Sequence, residues 1–361
     1  MPVLYRKYRP KNFSEVVDQE YIIRTLTNSI SMGMISHAYL FYGPRGCGKT
    51  TIARLLAKAL NCQNRKKGEF EPCNQCISCQ EINEGRAMDL IEIDAASNRG
   101  IEEMRNLKEG INIVPVKSKY KVYILDECHQ LTKEASNALL KTLEEPPEHC
   151  IFILCTTEYQ KVLPTIASRC QQFEFKKLTI NQITGKLEEI CNQEKIKAEK
   201  EALELIAKSA DGALRDAESL LDEVFSLEDK EIKKEEVEKI LGIVGIGPVS
   251  KFVDFLSKKD KKGAIQYLME LQEKGIDIEN FSKKIVSYLN DLLLVKINPN
   301  IFKRSGNFTK EEEENLKKQE KDFSEEELKN LLKIFFEARN QIKWADLPQL
   351  PLELAIIEAV T

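Results

Sequence analysis

Apolar residues follow two rhythms along the chain, and the change between them divides it. Up to about residue 178, short runs that are apolar at successive positions alternate with stretches of helical spacing. The runs are Ala38-Tyr39-Leu40-Phe41-Tyr42, Asp89-Leu90-Ile91-Glu92-Ile93, Lys121-Val122-Tyr123-Ile124-Leu125, Ile151-Phe152-Ile153-Leu154-Cys155 and Gln172-Phe173-Glu174-Phe175. A strand covered on both faces has no polar side to present, so such runs predict buried strands. The intervals between them are long enough for crossover helices. The expected fold class is therefore α/β, a parallel sheet with helices on both faces. From about residue 179 the strand signal stops. Residues 179–242 read as three helices, starting near Thr179, near Ala198 and after Asp211. The stretch Gly242-Ile243-Val244-Gly245-Ile246-Gly247-Pro248 is rich in glycine and ends in proline, which predicts a hinge. Residues 249–361 return to helical spacing, and Thr309–Glu314 reads as a solvated helix start with acidic residues in its first turn.

A chain of 361 residues is long enough for two or three domains, each with its own core. No apolar run approaches the roughly 20 residues that cross a bilayer, and the first ten residues lack a signal core, so a cytoplasmic protein is expected. The net charge of −4 excludes a polycation, so any nucleic-acid contact has to come from a local basic face. The cysteines, in a long chain without a secretion signal, do not suggest a disulfide scaffold.

The chemistry starts at Gly43-Pro44-Arg45-Gly46-Cys47-Gly48-Lys49-Thr50, a G-x-x-x-x-G-K-[ST] phosphate loop. Its glycines let backbone N–H groups curl around a polyphosphate, Lys49 reaches the β- and γ-phosphates, and the Thr50 hydroxyl is placed for Mg²⁺. The context fits. A short buried strand precedes the loop, and a helix opening at Thr51 follows it, with an N-terminus that favours anions. Downstream, four apolar residues lead into Asp126-Glu127. At the end of a strand beside a phosphate loop, Asp126 suits the Mg²⁺ sphere and Glu127 suits a general base for the attacking water. The strand 151–155 ends in Thr156-Thr157, where a polar tip, Thr157 above Thr156, can sense the lytic water or the γ-phosphate; a cap or turn is the alternative. Arg169 in Ser168-Arg169-Cys170 and Arg215 in Gly212–Ala217 each suit a guanidinium that neutralises phosphate oxygens, and each alone reads as readily as a surface ion-pair residue.

A second constellation is Cys62 with Cys73, Cys76 and Cys79. Four thiolates on a short loop fit tetrahedral Zn²⁺. Ferredoxin spacing fails because residue 83 is Asn, and a redox disulfide is the remaining alternative. Cys47, Cys128, Cys150, Cys155, Cys170 and Cys191 read as buried small hydrophobes. His37, His129 and His149 are scattered and form no metal set.

The phosphate loop, Leu125-Asp126-Glu127, Ser168-Arg169-Cys170 and Gly212–Ala217 together resemble the AAA+ ATPases and, within them, the clamp loaders. Tyr5–Pro10, Ile91–Ser97, Asn137–Pro147 and the cysteine cluster carry the resemblance to the gamma/tau family of bacterial DNA polymerase III. That resemblance implies an AAA+ core over residues 1–178 with a zinc module at about 62–79, a helical lid over 179–242 and an oligomerising helical collar over 243–361. It implies ATP, Mg²⁺ and Zn²⁺ as cofactors, Arg9 and Pro10 beside the adenine, Arg215 as the lid's sensor, and Arg169 as an arginine finger acting on a neighbour. The implied function is an ATP-driven motor that opens a sliding clamp and loads it on primer–template DNA. Its partners would be further gamma/tau copies, delta and delta-prime in a hetero-pentamer, with DNA backbone contacts from Arg99, Arg105, Thr132 and Lys141. Two alternatives compete: another AAA+ DNA-processing ATPase, which would add a DNA-binding domain after the lid, and a non-hydrolysing scaffold subunit, which would lack a complete phosphate loop.

Overall fold

The computed structural model describes residues 3–97, 110–227, 231–241, 246–298, 310–345 and 347–360. Arg99, Arg105 and positions 242–245 of the expected hinge lie outside the described residues. Gly247 and Pro248, read as hinge, instead fall in the first turn of the helix Ile246–Ser257, where the missing proline N–H has no helical partner to lose. The chain forms two compact units, Met1–Lys234 and Glu235–Thr361.

The first unit is built on five parallel strands: β1 (Ala38–Tyr42), β2 (Leu90–Asp94), β3 (Lys121–Asp126), β4 (Cys150–Thr156) and β5 (Gln171–Glu174), in the order β2-β3-β4-β1-β5. The expected runs all become strands, within a residue or so of their predicted ends. Alternation along each strand divides the side chains between two faces. Leu40, Tyr123, Leu125, Phe152 and Leu154 pack with Leu139 and Leu143 of the helix Lys133–Glu144. The intervening residues, such as Phe41, Ile124 and Ile153, are equally buried, on the face that the phosphate-loop helix Lys49–Asn61 covers. Because all five strands run the same way, the register aligns their C-terminal ends, with Tyr42 opposite Thr156 and Asp94 opposite Asp126. The residues picked out as chemical follow those ends, where ligands of parallel α/β sheets bind.

The helices Ile180–Glu194, Lys200–Ser209 and Leu214–Leu227 follow the sheet. The first starts where Thr179 and Gln182 form a reciprocal capping box, each side chain satisfying the other's backbone N–H. Two elements have no counterpart in the three helices read over 179–242: a two-residue parallel ribbon pairing Lys197-Ala198 with Glu231-Ile232, and a fourth short helix, Lys234–Ile240.

The second unit is helical. Phe252 meets Phe281 and Phe335 edge to face, at 5.4 and 5.9 Å between ring centres, in the middle of its core. Gln319 is buried there with its polar atoms satisfied: Nε2 donates to Ser250 O and Asp254 Oδ1, and Oε1 accepts from Tyr288 Oη. Among the described residues no helix is long and apolar enough to cross a membrane.

Candidate nucleotide site

The loop after β1 turns through backbone angles that side chains oppose. Gly46 has φ 77°, and a Cβ there would sit 2.7 Å from the Cβ of Ala213, at the entry to the helix Leu214–Leu227. Glycine is required twice over, for the angle and for the approach of the next helical layer. Lys49 is buried and donates to the carbonyls of Gly43 (2.8 Å) and Pro44 (2.7 Å), two of the three bonds its ammonium can make. The thiol of Cys47 donates to Pro44 O at 2.7 Å, and burial pushes its pKa up, so it stays a neutral part of the loop.

Beside the loop, Thr50 Oγ1 donates to Asp126 Oδ2 at 2.8 Å. The sheet register brings this hydroxyl and carboxylate together from 76 residues apart. Hard oxygen donors so arranged fit Mg²⁺. Glu127 follows in a left-handed conformation, φ 47° and ψ 44°, with its N–H held by Asp126 Oδ1 at 3.0 Å. Its Oε2 accepts from Thr157 Oγ1 (2.8 Å) and Thr157 N (3.2 Å), so the tip of β4 grips the carboxylate. His129 was read as scattered, yet it sits behind this group. Its Nδ1 lies 2.9 Å from Thr156 Oγ1 and 3.4 Å from Glu127 Oε2, and its Nε2 lies 3.3 Å from Glu158 Oε1.

A cleft opens over the loop. Arg9, Pro10, Val16 and Val17 line one side, the residues Arg45–Thr51 with Asp126 and Glu127 form its floor, and Leu214, Arg215 and Glu218 close the other. Arg9, Pro10 and Arg215, far apart in sequence, thus share one pocket with the phosphate loop. Two contributors escaped the sequence reading. The guanidinium of Arg215 lies 4.8 Å over the ring of Tyr5, and its hydrogen bond, with Arg6, holds the Tyr5 phenol below its ordinary pKa. Glu218 is buried, and burial raises its carboxyl to about 7, partly offset by Lys186. Alternation between turns puts Glu218 on the same helix side as Arg215, but an acidic residue inside a helix gives no sign of that from sequence.

Arg169 lies elsewhere. Its Nη2 pairs with Glu144 Oε1 at 2.7 Å and its Nη1 donates to Thr165 O, so it does not line the cleft of its own chain. Thr132 caps the helix Lys133–Glu144 by accepting from Ala135 N, and Lys141 is exposed on that helix. Cys170 is half-buried, not buried as expected; the other five cysteines of that group are buried.

The sulfurs of Cys62, Cys73, Cys76 and Cys79 lie within 4.8 Å of one another. Burial opposes ionisation of Cys73, but the N–H groups of Gln75 and Cys76, aimed at its sulfur at 3.4 and 3.3 Å, outweigh it and bring the thiol down to about 6. Burial pushes Cys79 the other way. Four clustered sulfurs, one readily ionised, are a donor set that fits Zn²⁺.

Three family descriptions match successive parts of the chain: "DNA polymerase III, delta subunit" over residues 18–179, "DNA polymerase III clamp loader subunit, ATPase lid domain" over 182–226, and "DNA polymerase III subunits gamma and tau domain III" over 232–361. The chain is 41% identical to DNA polymerase III subunit tau of Bacillus subtilis over 98% of its own length and 62% of the relative's. It is 43% identical to the tau subunit of Escherichia coli over 82% of this chain and 46% of that one. It is also 36% identical to DNA polymerase III subunit gamma of Buchnera aphidicola (Schizaphis graminum), covering 99% of this chain and 98% of the relative. The chain therefore spans about half to two thirds of the tau relatives and nearly all of that gamma relative. Among solved structures, the RuvB Holliday junction branch migration motor of Thermotoga maritima superposes with a TM-score of 0.50 at 20% identity, over 69% of this chain and 79% of that one, a likeness of fold.

Proposed function

Because the chain belongs to the gamma and tau family of DNA polymerase III clamp-loader subunits, with an AAA+ core, we propose that it is the ATP-driven motor of a sliding-clamp loader. The Thr50–Asp126 pair, with Glu127 adjoining it beneath the phosphate loop, carries the reading. A protein that only bound nucleotide needs the loop; one that hydrolyses it also needs a carboxylate beside the metal position and a second one for water.

Lys49 and the loop N–H groups hold the phosphates. Thr50 and Asp126 would hold Mg²⁺, which would supply positive charge against the triphosphate. Glu127 takes the proton of the attacking water, and Thr157 orients Glu127 or senses the γ-phosphate. Arg215 reaches the phosphates from the lid of the same chain, and Arg9 and Pro10 border the base. Arg169, away from its own cleft, serves a neighbour's. The four cysteines hold a structural Zn²⁺. Thr132 and Lys141 are candidates for contacts to the DNA backbone.

Residues 1–178, 179–242 and 243–361 act as core, lid and collar. The collar reading is supported by apolar side chains left exposed on the C-terminal unit, among them Phe336, Trp344, Leu350 and Leu354, with Trp344 87% exposed. The partners are further copies, delta and delta-prime subunits, the sliding clamp and primer–template DNA, in a cytoplasmic hetero-pentamer.

The test is ATPase activity of the chain alone, then with delta, delta-prime, cognate clamp and primed DNA, with Lys49→Ala as the binding-dead control. Strong stimulation by the full set, and none in the Lys49→Ala assembly, is expected. A rate indifferent to clamp and DNA overturns the assignment.

A further inference from the structure

We propose that the cysteine knuckle positions the base-side wall of the nucleotide pocket, acting through Glu71, Asn74 and Lys58. The inference rests on reading the cleft as an ATP site.

That wall contains only one short turn, Phe13–Glu15, with Lys11 N and the Asn12 amide donating to Glu15. Arg9 and Pro10 line the cleft before it and Val16 and Val17 after it. Between them, Lys11–Ser14 turn away from the pocket and meet the knuckle. Glu71, between Cys62 and Cys73, accepts the N–H of Phe13 on Oε2 and the N–H of Ser14 on Oε1, both at 2.9 Å. Two backbone donors on one carboxylate fix the segment in two directions with charge-assisted bonds. Asn74, between Cys73 and Cys76, donates its amide to Asn12 Oδ1 at 2.6 Å and Lys11 O at 3.3 Å. It does so from a left-handed backbone angle, φ 58°.

Lys58 completes the link. It projects from the phosphate-loop helix, is only 2% exposed, and donates to Lys11 O (2.7 Å), Asn74 Oδ1 (2.7 Å) and Asn83 Oδ1 (2.8 Å). Its three N–H groups are all used, and they join the phosphate-loop helix, the wall segment and the knuckle at one buried point.

The knuckle itself has few backbone reasons to keep this shape. Its only regular element is the short helix Ile77–Asn83. Arg65 ties the first part of the loop, donating to Ala59 O and Glu69 O, and the sulfur cluster brings Cys62 and Cys73 together so that the loop's ends close around Glu71. A metal that closes the cluster therefore fixes Glu71 and Asn74, and through them the wall. Metal affinity and nucleotide affinity are then linked, and linkage is reciprocal.

Binding of a fluorescent ATP analogue to the full chain tests this in three arms. Glu71→Gln and Asn74→Ala, combined, should raise the dissociation constant about fivefold or more, with zinc content unchanged and kcat at saturating ATP within about twofold. Removing zinc from the unaltered chain should weaken the analogue by a similar factor and add little in the double variant. Conversely, saturating ATP should tighten zinc against a competing chelator by the same factor, a measurement that needs no variant. Amide exchange at Phe13 and Ser14 should rise when zinc is removed. Equal affinity for the analogue with and without zinc, in a chain still folded by circular dichroism, overturns the proposal. Failure of the unaltered, zinc-loaded chain to bind the analogue at all is a distinct result that overturns the ATP reading and this inference with it.

Discussion

Glu127 holds a backbone conformation that non-glycine residues seldom adopt, a departure worth about 1–3 kcal/mol. The surrounding bonds maintain it: Asp126 holds its N–H, and Thr157 gives two bonds to one carboxylate oxygen, Oε2. The reward for the strain is a carboxylate that leaves the line of β3 and faces the space beside the Thr50–Asp126 pair. Glu127→Gln keeps the shape and removes the base. It is expected to leave ATP affinity within about threefold while kcat falls by about 10²–10⁴, the range of general-base contributions, measured by nucleotide titration and steady-state hydrolysis. Sequence pointed to Lys49 and Thr50 through the phosphate-loop spacing, and to Asp126 and Glu127 only because they follow an apolar run downstream of that loop, since Asp-Glu after a strand alone often just starts a turn. The Thr157 grip on Glu127 and the place of His129 were not legible, because both depend on β3 and β4 lying side by side.

Elements were readable wherever their burial was simple. Strands covered on both faces announce themselves as apolar runs, and Thr179 with Gln182 announces a helix start through the pairing it permits. The ribbon at Lys197-Ala198 and Glu231-Ile232 is too short to leave a rhythm, and half of its partners are polar. The helix Leu214–Leu227 shows the same limit. Its apolar face predicts packing and Arg215 stands out through its motif, but nothing in the sequence singles out Glu218, although both line the cleft. The pH behaviour of Glu218 follows from its burial. Its folded pKa, about 7, lies above the ordinary carboxylate value, so its contribution is most favourable below that ordinary value and is lost as pH rises through about 7. Glu218→Gln, which keeps a neutral side chain at all pH, is therefore expected to raise stability by on the order of 3 kcal/mol at pH 8, with the gain shrinking toward pH 5. Thermal melts across that range check it. A gain that grows on acidification would contradict the burial argument.

At the scale of the whole molecule, the proposed motor takes an arginine from a neighbouring copy. Among the described residues, the arginines lining the cleft are Arg9, Arg45 and Arg215, and Arg169 sits outside it. If Arg169 completes a neighbour's site, Arg169→Ala should leave ATP affinity of the isolated chain within about twofold and lower DNA-stimulated hydrolysis in the assembled complex by about 10³-fold or more. Single-turnover hydrolysis in the assembly measures this, and an unchanged rate would confine Arg169 to its ion pair. Nothing in one sequence states how copies face each other, which is why Arg169 came only from a resemblance.

The ion pair has its own consequence. Glu144 offers Arg169 an anion on the same chain, half-exposed and at 2.7 Å. If Arg169 serves a neighbour's site as proposed, Glu144 is a resident rival of that site's γ-phosphate. An exposed pair of this kind is worth about 1 kcal/mol at most, a factor of roughly five in an equilibrium, and salt weakens it further. The rivalry is weak enough for a triphosphate to win and strong enough that a solitary chain keeps its guanidinium occupied. On the proposed assembly, docking would exchange one anion for another, so joining a neighbour would not begin from a bare charge.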